Sequence, residues 1–349
     1  MEPIQIAGRK VGPGQPCFII AEAGVNHNGD IEMAKRLVEA AARARADAVK
    51  FQTFRAERLV ALGAPKADYQ VSTCGDSESQ LEMLRRVELS SEAHRDLQAY
   101  CHKQNLLFLS TPFDEASADL LEALDLPAFK IPSGEITNLP FLAYVAEKQR
   151  PMIVSTGMSS LEEVREAVDV IRRSGNENFV LLHCVSAYPA PPADVNLRVM
   201  RTMAEIFGVP VGYSDHTQGT EIALAAVALG ACVIEKHFTL DRNLPGPDHR
   251  ASIEPDELAA LVRGIRLVEA ALGHGRKERG ACEANTAAVV RKSIVAACDI
   301  TAGTLLTTDL IAVKRPGTGL PPSMLKHLIG RRVTRDIPMD TLLTLDMLQ

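Results

Sequence analysis

Two neighbouring apolar runs of this chain end in histidine: VGYSDHT (211–217) carries His216 and ACVIEKHFT (231–239) carries His237. Two imidazoles brought to one place can share a divalent cation and leave several coordination positions open. Carboxylates stand close by in the sequence and the set holds no thiolate. An ion that keeps waters and substrate oxygens, Mn²⁺ first and Mg²⁺ or Co²⁺ after it, therefore suits the pair better than a structural Zn²⁺. The alternative is two hydrogen-bonded histidines that only hold their loops.

Two lysines close apolar runs in the same way, Lys50 in DAVKFQT (47–53) and Lys130 in AFKIPSG (128–134). An unpaired ammonium inside a fold is costly, and a bound anion removes the cost. Thr111, Ser133, Ser155 and Ser214 end comparable runs and can donate to phosphate or carboxylate oxygens. Two lysines among so many hydroxyls favour an anion site over Schiff-base chemistry, with structural ion pairs as the remaining reading. Glu22 and Glu235 are candidate general acids or bases, and Asp248 in PGPDHR joins them on a loop. Arg315 in RPGTG (315–319) sits on a Pro-Gly turn that would present it rigidly.

What could bring these groups together is a repeated strand–helix unit. The strand candidates are 17–23, 47–53, 106–112, 128–134, 151–157, 179–185, 209–215 and 231–238. Helical patterns separate them, and a last one follows at 255–272. Near-continuous apolar strands, each followed by a helix, imply parallel pairing covered on the outside. Eight such units predict a (β/α)8 TIM barrel, in which the C-terminal strand ends form the active face. A doubly wound open sheet is second, because no Gly-rich fingerprint follows the first strand. Every predicted strand ends polar: Glu22, Lys50 with Gln52, Ser110 with Thr111, Lys130 with Ser133 and Glu135, Ser155 with Thr156, His183, Ser214 with His216, and Glu235 with His237.

A second domain is expected after the barrel. The boundaries predicted are 1–275 for the barrel, 276–290 for a polar linker and 291–349 for a small β-rich tail. The tail contains a repeat, DITAGTLLTTDL (299–310) and DIPMDTLLTLDM (336–347), offset by 37 and identical at seven of twelve positions. Two related halves suggest pseudo-symmetric short strands and turns. The tail has eight basic and five acidic residues, so it is +3 while the remainder of the −6 chain is −9.

Bulk properties narrow the function. An acidic balance, with pI near 5.9, gives no footprint for nucleic acid. No apolar run approaches a membrane span and the first residues lack a signal-peptide core, so a cytoplasmic protein is expected. There are seven cysteines and no CxxC pair; Cys17, Cys184 and Cys232, inside apolar runs, read as buried thiols.

Taken together, AEAGVNHNGD (21–30), VKFQTF (49–54), STPFD (110–114), KIPSGE (130–135), STGM (155–158), LLHC (181–184), YSDHT (213–217), EKHFTLD (235–241), GPDH (246–249) and KRPGTG (314–319) resemble the sialic acid synthases along essentially the whole chain. The resemblance implies condensation of phosphoenolpyruvate with N-acetylmannosamine to N-acetylneuraminate, or with 2,4-diacetamido-2,4,6-trideoxymannose to N,N'-diacetyllegionaminate. It further implies that the tail is an antifreeze-like (SAF, β-clip) domain. His216 and His237 would hold a divalent metal that polarises the sugar aldehyde. Lys50, Thr111, Lys130, Ser133, Ser155 and Ser214 would cradle phosphoenolpyruvate. Glu22 would hold the sugar or handle protons, and Glu235 would help water add to carbon 2 as phosphate leaves with C–O cleavage. Gln52, Tyr188 and Asp248 would contact sugar hydroxyls. Arg315 would arrive from a partner's tail in a domain-swapped homodimer. Ser186 departs from the Asn that some members carry, so sugar or carboxylate contacts there would differ. The competing readings are a metal aldolase or isomerase acting on a phosphorylated sugar and, in another class, a non-catalytic glycan- or ice-binding protein.

Overall fold

The structure, a computed structural model, describes residues 1–75 and 77–349. It comprises two units, Met1–Gly273 and His274–Gln349. The first unit carries eight parallel strands: β1 (Phe18–Gly24), β2 (Ala48–Thr53), β3 (Leu107–Pro112), β4 (Phe129–Ile131), β5 (Met152–Ser155), β6 (Phe179–Cys184), β7 (Val211–Asp215) and β8 (Val233–His237). They form one sheet in the order β3-β2-β1-β8-β7-β6-β5-β4. The two end strands, β3 and β4, pack beside each other, so the sheet is an almost closed TIM barrel. Among the described residues no helix is long and apolar enough to cross a membrane.

Strand pleating sorts the side chains into two layers. Phe18 and Ile20, Ala48, Leu109, Ile153, Val180 and Leu182, and Val233 point inward and pack on one another. Their neighbours Ile19, Val49, Phe51, Phe108, Val154, Leu181, Tyr213 and Ile234 point outward against the helices. The inward layer is tight: a Cβ on Gly212 would lie 2.5 Å from Val233 O, so β7 has room only for glycine there. An N-terminal hairpin, Ile4–Ile6 paired with Arg9–Val11, closes the lower end by placing Ile4, Ile6 and Val11 in this inner core.

The helices follow local signals. Ile31–Ala44 starts at Asp30, whose carboxylate accepts from the amides of Glu32 and Met33. Leu161–Arg173 starts with a capping box between Ser160 and Glu163. One stretch differs from the sequence expectation. Between β2 and β3, helices Ala56–Leu59, Asp68–Cys74 and Gln80–Val87 precede the expected Ser91–Lys103. Segments of four to eight residues show too few turns for a helical period to emerge.

The tail unit has its own core, including Ile294, Ile300, Leu306, Val333, Ile337 and Leu343. β9 (Ser293–Ala296) pairs antiparallel with β10 (Ile311–Lys314). The sequence repeat becomes a pseudo-twofold. Ile300 and Ile337 exchange both backbone hydrogen bonds at 2.8 Å. Asp299 Oδ1 accepts from Met339 N at 2.8 Å, and Asp336 Oδ1 accepts from Ala302 N at 2.7 Å. The connection read as a linker carries a helix, Ala284–Val290, and the division between units falls at Gly273.

Replacing Ile6, fully buried in the lower plug, by alanine should cost about 2–4 kcal/mol of unfolding free energy through lost burial and a residual cavity. Denaturant titration would measure this. Turnover by the folded fraction should be unchanged, because the plug lies at the opposite end from the strand-end polar groups.

Candidate active site

At the C-terminal strand ends the apolar inner core gives way to a cavity of about 420 Å³. Continuing each inward row by one pleat step leads from Ile20 to Glu22, Ala48 to Lys50, Leu109 to Thr111, Ile153 to Ser155 and Val233 to Glu235. These five and Lys130 line the floor. Gln52, Ser133, Ser186, Tyr188, Ser214, His216, His237 and Asp248 complete the predicted set that the cavity brings together. Arg315 belongs to the other unit, where it is exposed.

Four of the expected polar strand ends do not reach the cavity. Ser110 points outward, where its hydroxyl is 2.7 Å from Thr53 Oγ1, itself 2.8 Å from His94 Nε2. His183 Nε2 meets Val195 O at 2.6 Å. Thr156 donates to Leu182 O, and Glu135 accepts from Asn138. Pleat parity turns Ser110, Thr156 and His183 away, since adjacent residues of one strand face opposite sides; Glu135 lies beyond β4 on the 3-10 turn Ser133–Glu135.

The floor is a buried charge network. Lys50 Nζ lies 2.6 Å from Glu22 Oε2, donates to Thr111 Oγ1 at 2.9 Å, and is 3.7 Å from Glu235 Oε2. Lys130 Nζ donates to Ser155 Oγ at 2.7 Å and stands 3.6 Å from Glu235 Oε1, which accepts from Ser214 Oγ at 2.9 Å. Glu235 loses by burial but gains more from Lys130 and Lys50, so its pKa falls to about 2. For Glu22 burial wins over Lys50, and with Glu235 adding repulsion its pKa rises to about 7. Burial likewise lifts Asp248 to about 6, although His216 and Lys50 pull it down. One barrel floor thus holds a fixed anion and a carboxyl poised to trade its proton near neutrality.

The histidines lie above this floor with ring centroids 5.4 Å apart. His216 directs Nδ1 at Val185 O, 2.7 Å away; donation there leaves Nε2 with its lone pair. Burial, reinforced by His216 and Lys50, holds His237 well below the ordinary imidazole pKa. Its Nδ1 and Glu235 Oε2 are buried without a hydrogen-bond partner among the described residues. Two imidazole nitrogens with lone pairs fit a divalent ion. No group of three metal-ligating side chains exists among the described residues, so such an ion would draw its other ligands from water and substrate.

Several groups in the lining or packed directly behind it were not legible as functional. Cys184, read as an ordinary buried thiol, follows Leu182 inward, and its Sγ lies 3.6 Å from His216 Nδ1. Gly157 donates its amide to Ser133 Oγ at 2.9 Å, and a Cβ there would fall 2.3 Å from Ser186 Oγ. Tyr69, from helix Asp68–Cys74, sits 4.9 Å from Tyr188 between ring centroids, and Tyr188 sits 4.2 Å from His216. With Leu59, Met83, Leu84, Val87 and Phe113 it makes one wall apolar. Only the pleat of β6 could have pointed to Cys184; the wall comes from the short helices that the sequence did not reveal.

The NeuB family matches residues 37–277, and the SAF domain matches residues 291–349. The chain belongs to the NeuB family. N,N'-diacetyllegionaminic acid synthase of Campylobacter jejuni is 49% identical over 93% of this chain and 98% of its own length. Human N-acetylneuraminate-9-phosphate synthase is 41% identical over 95% of this chain and 93% of its own. The crystal structure of N-acetylneuraminic acid (sialic acid) synthetase from Leptospira borgpetersenii, in complex with citrate, aligns with a TM-score of 0.72 at 36% identity. That alignment covers 82% of this chain and 95% of that one. As a NeuB member the chain is an enzyme of the sialic and legionaminic acid synthase group.

Glu22 makes stability pH-dependent. Its folded pKa, about 7, lies above the ordinary 4.5, so from pH 4.5 to 7 the folded state holds a proton that the unfolded chain has released. Stability therefore falls as pH rises through that window. Glu22→Gln, which imitates the protonated form, should gain about 2 kcal/mol relative to wild type between pH 5 and 7.5 in denaturant titrations. Parallel curves for the two proteins would refute the assignment.

Proposed function

We propose that this enzyme condenses phosphoenolpyruvate with an unphosphorylated N-acetylated mannosamine-type sugar, releasing phosphate by C–O cleavage. The observation that carries the reading is the cavity floor, where Lys50 and Lys130 lie beside Thr111, Ser155 and Ser214 with Ser133 at the rim. Two buried ammonium groups and a set of hydroxyls match a ligand bearing both phosphate and carboxylate. Held there, the enol presents carbon 3 toward the mouth, where the sugar aldehyde would lie against Gln52, Ser186, Tyr188 and Asp248. The new bond joins carbon 3 to the aldehyde carbon. Water adds at carbon 2, the bond from carbon 2 to the phosphate oxygen breaks, and a 2-keto acid remains. Glu235, kept anionic by the lysines, orients that water, and Glu22 exchanges a proton near the aldehyde oxygen. A divalent ion on His216 and His237, Mn²⁺ by preference, would supply Lewis acidity to that oxygen.

The sequence put N-acetylmannosamine first as acceptor; the cavity favours 2,4-diacetamido-2,4,6-trideoxymannose. The apolar wall of Leu59, Met83, Leu84, Val87 and Phe113 suits a methyl terminus and a second acetamido group. Among the described lining residues the only cations are Lys50 and Lys130, both committed to the floor, which argues against a sugar phosphate. The 49% identity to a legionaminic acid synthase supports the same choice. N-acetylmannosamine is the second reading, supported by likeness to the sialic acid synthetase structure. Arg315 is proposed to reach the acceptor's N-acetyl group from the tail of a second copy.

Phosphate release from phosphoenolpyruvate should require a sugar and Mn²⁺, stop on chelation, and give a kcat/KM at least tenfold higher for the diacetamido sugar. Release without sugar would defeat the synthase reading, and a preference for N-acetylmannosamine would defeat the acceptor choice. Arg315→Ala should raise the sugar KM tenfold or more and leave that for phosphoenolpyruvate nearly unchanged; equal values for the sugar would remove Arg315 from the site.

A further inference from the structure

The residues immediately before the two histidines, Asp215 and Lys236, form a buried ion pair on the opposite side of the sheet from them. Lys236 Nζ lies 2.6 Å from Asp215 Oδ2, and the side chains are 2% and 0% exposed. This pair occupies the outer, largely apolar layer, among neighbours such as Tyr213 and Ile234. A buried pair in such a layer is weak evidence for stability, since apolar side chains of similar size usually do as well. Its contacts suggest what keeps it there. Asp215 Oδ1 accepts from Thr217 N at 2.9 Å and from Thr217 Oγ1 at 2.8 Å, spanning the residue between, which is His216. Tyr213 OH donates to the same oxygen at 3.2 Å. Lys236 Nζ also donates to Thr217 O at 2.8 Å. The turn carrying His216 is therefore held on both sides by Asp215, and that turn is gripped by the residue preceding His237.

We infer that Asp215 and Lys236 are positioning residues: a cross-strand clamp behind the sheet that fixes the spacing of His216 and His237 for one shared divalent ion. The inference rests on the metal reading of those histidines. The pleat makes it mechanical. β7 and β8 are in register from Ser214 opposite Glu235 to Asp215 opposite Lys236, but β8 continues to His237 while β7 ends at Asp215. His216 therefore stands beyond the ladder, where strand hydrogen bonds no longer fix it. Val185 O and Ala190 N hold His216 from the β6 side; the clamp adds the restraint that ties it to β8, from the outside, leaving the cavity face free for ligands.

The test is Mn²⁺ and Co²⁺ binding to the full chain by calorimetry and by the visible d–d spectrum of Co²⁺, with thermal unfolding recorded in parallel. In the Asp215→Asn/Lys236→Met variant, dissociation constants should rise roughly 10- to 100-fold with a changed Co²⁺ spectrum, while circular dichroism stays native. Lys236→Arg should recover most of the affinity. Should the double variant fail to fold, Thr217→Val, which removes one bond of the clamp, should show a smaller loss in the same direction. Thr53→Val, in the other outward polar network, should leave metal affinity unchanged even if it lowers the melting temperature. Wild-type affinity and spectrum in the folded clamp variants, beside a wild type that binds, would overturn the clamp and leave the metal reading standing. A wild type that binds neither ion would overturn the metal reading and the clamp with it.

Discussion

A strand that is one of eight in a ring, wrapped in helices, has no wet side. Every residue on it points either into the interior or into the outer layer, and a polar group on either must find its partner inside the protein. That constraint organises this molecule. Inward-pointing polar groups collect at the C-terminal ends and satisfy one another as Lys50 with Glu22 and Thr111, and Lys130 with Ser155. Outward-pointing ones form separate networks behind the same strands, Thr53 with Ser110 and His94, and Asp215 with Lys236. Lower down the inward rows are filled by the apolar Phe18, Leu109 and Val233 and capped by the hairpin.

The floor's charges nearly cancel. Two ammonium groups face Glu235, which they keep ionised, and Glu22, whose pKa burial raises toward neutrality. An entering ligand with several negative charges would shift that balance, and Glu22 can absorb the shift by taking a proton rather than by moving. This is cheaper than rearranging a network in which each lysine already has a hydroxyl and a carboxylate in place.

The barrel was legible because each strand is a short apolar run and most helices exceed two turns. The sites were legible because ionisable residues are conspicuous at the ends of such runs. What the sequence blurred was direction. Ser110 and Thr111 look alike in a string of letters, yet one bonds behind the sheet and the other holds Lys50. Counting alternate residues back from an apolar inward row would have separated them, and would have placed Cys184 with Leu182 in the interior. The wall formed by Leu59, Tyr69, Met83 and Leu84 was beyond reach for another reason. Its helices are too short to show a period, and its role depends on where a long excursion folds back over the mouth. Arg315 is legible only as a turn residue, because nothing local to RPGTG says what it meets.

The hairpin that plugs the lower end has a kinetic corollary. A vessel sealed at one end has a single doorway, so whatever binds at the bottom must pass the place where the upper ligand will sit. Lys50 lies one pleat step below Gln52 on β2. Under the proposed assignment of subsites, an occupied upper one would bar the lower, and the small anion would have to enter before the bulky partner and leave after it through the same opening.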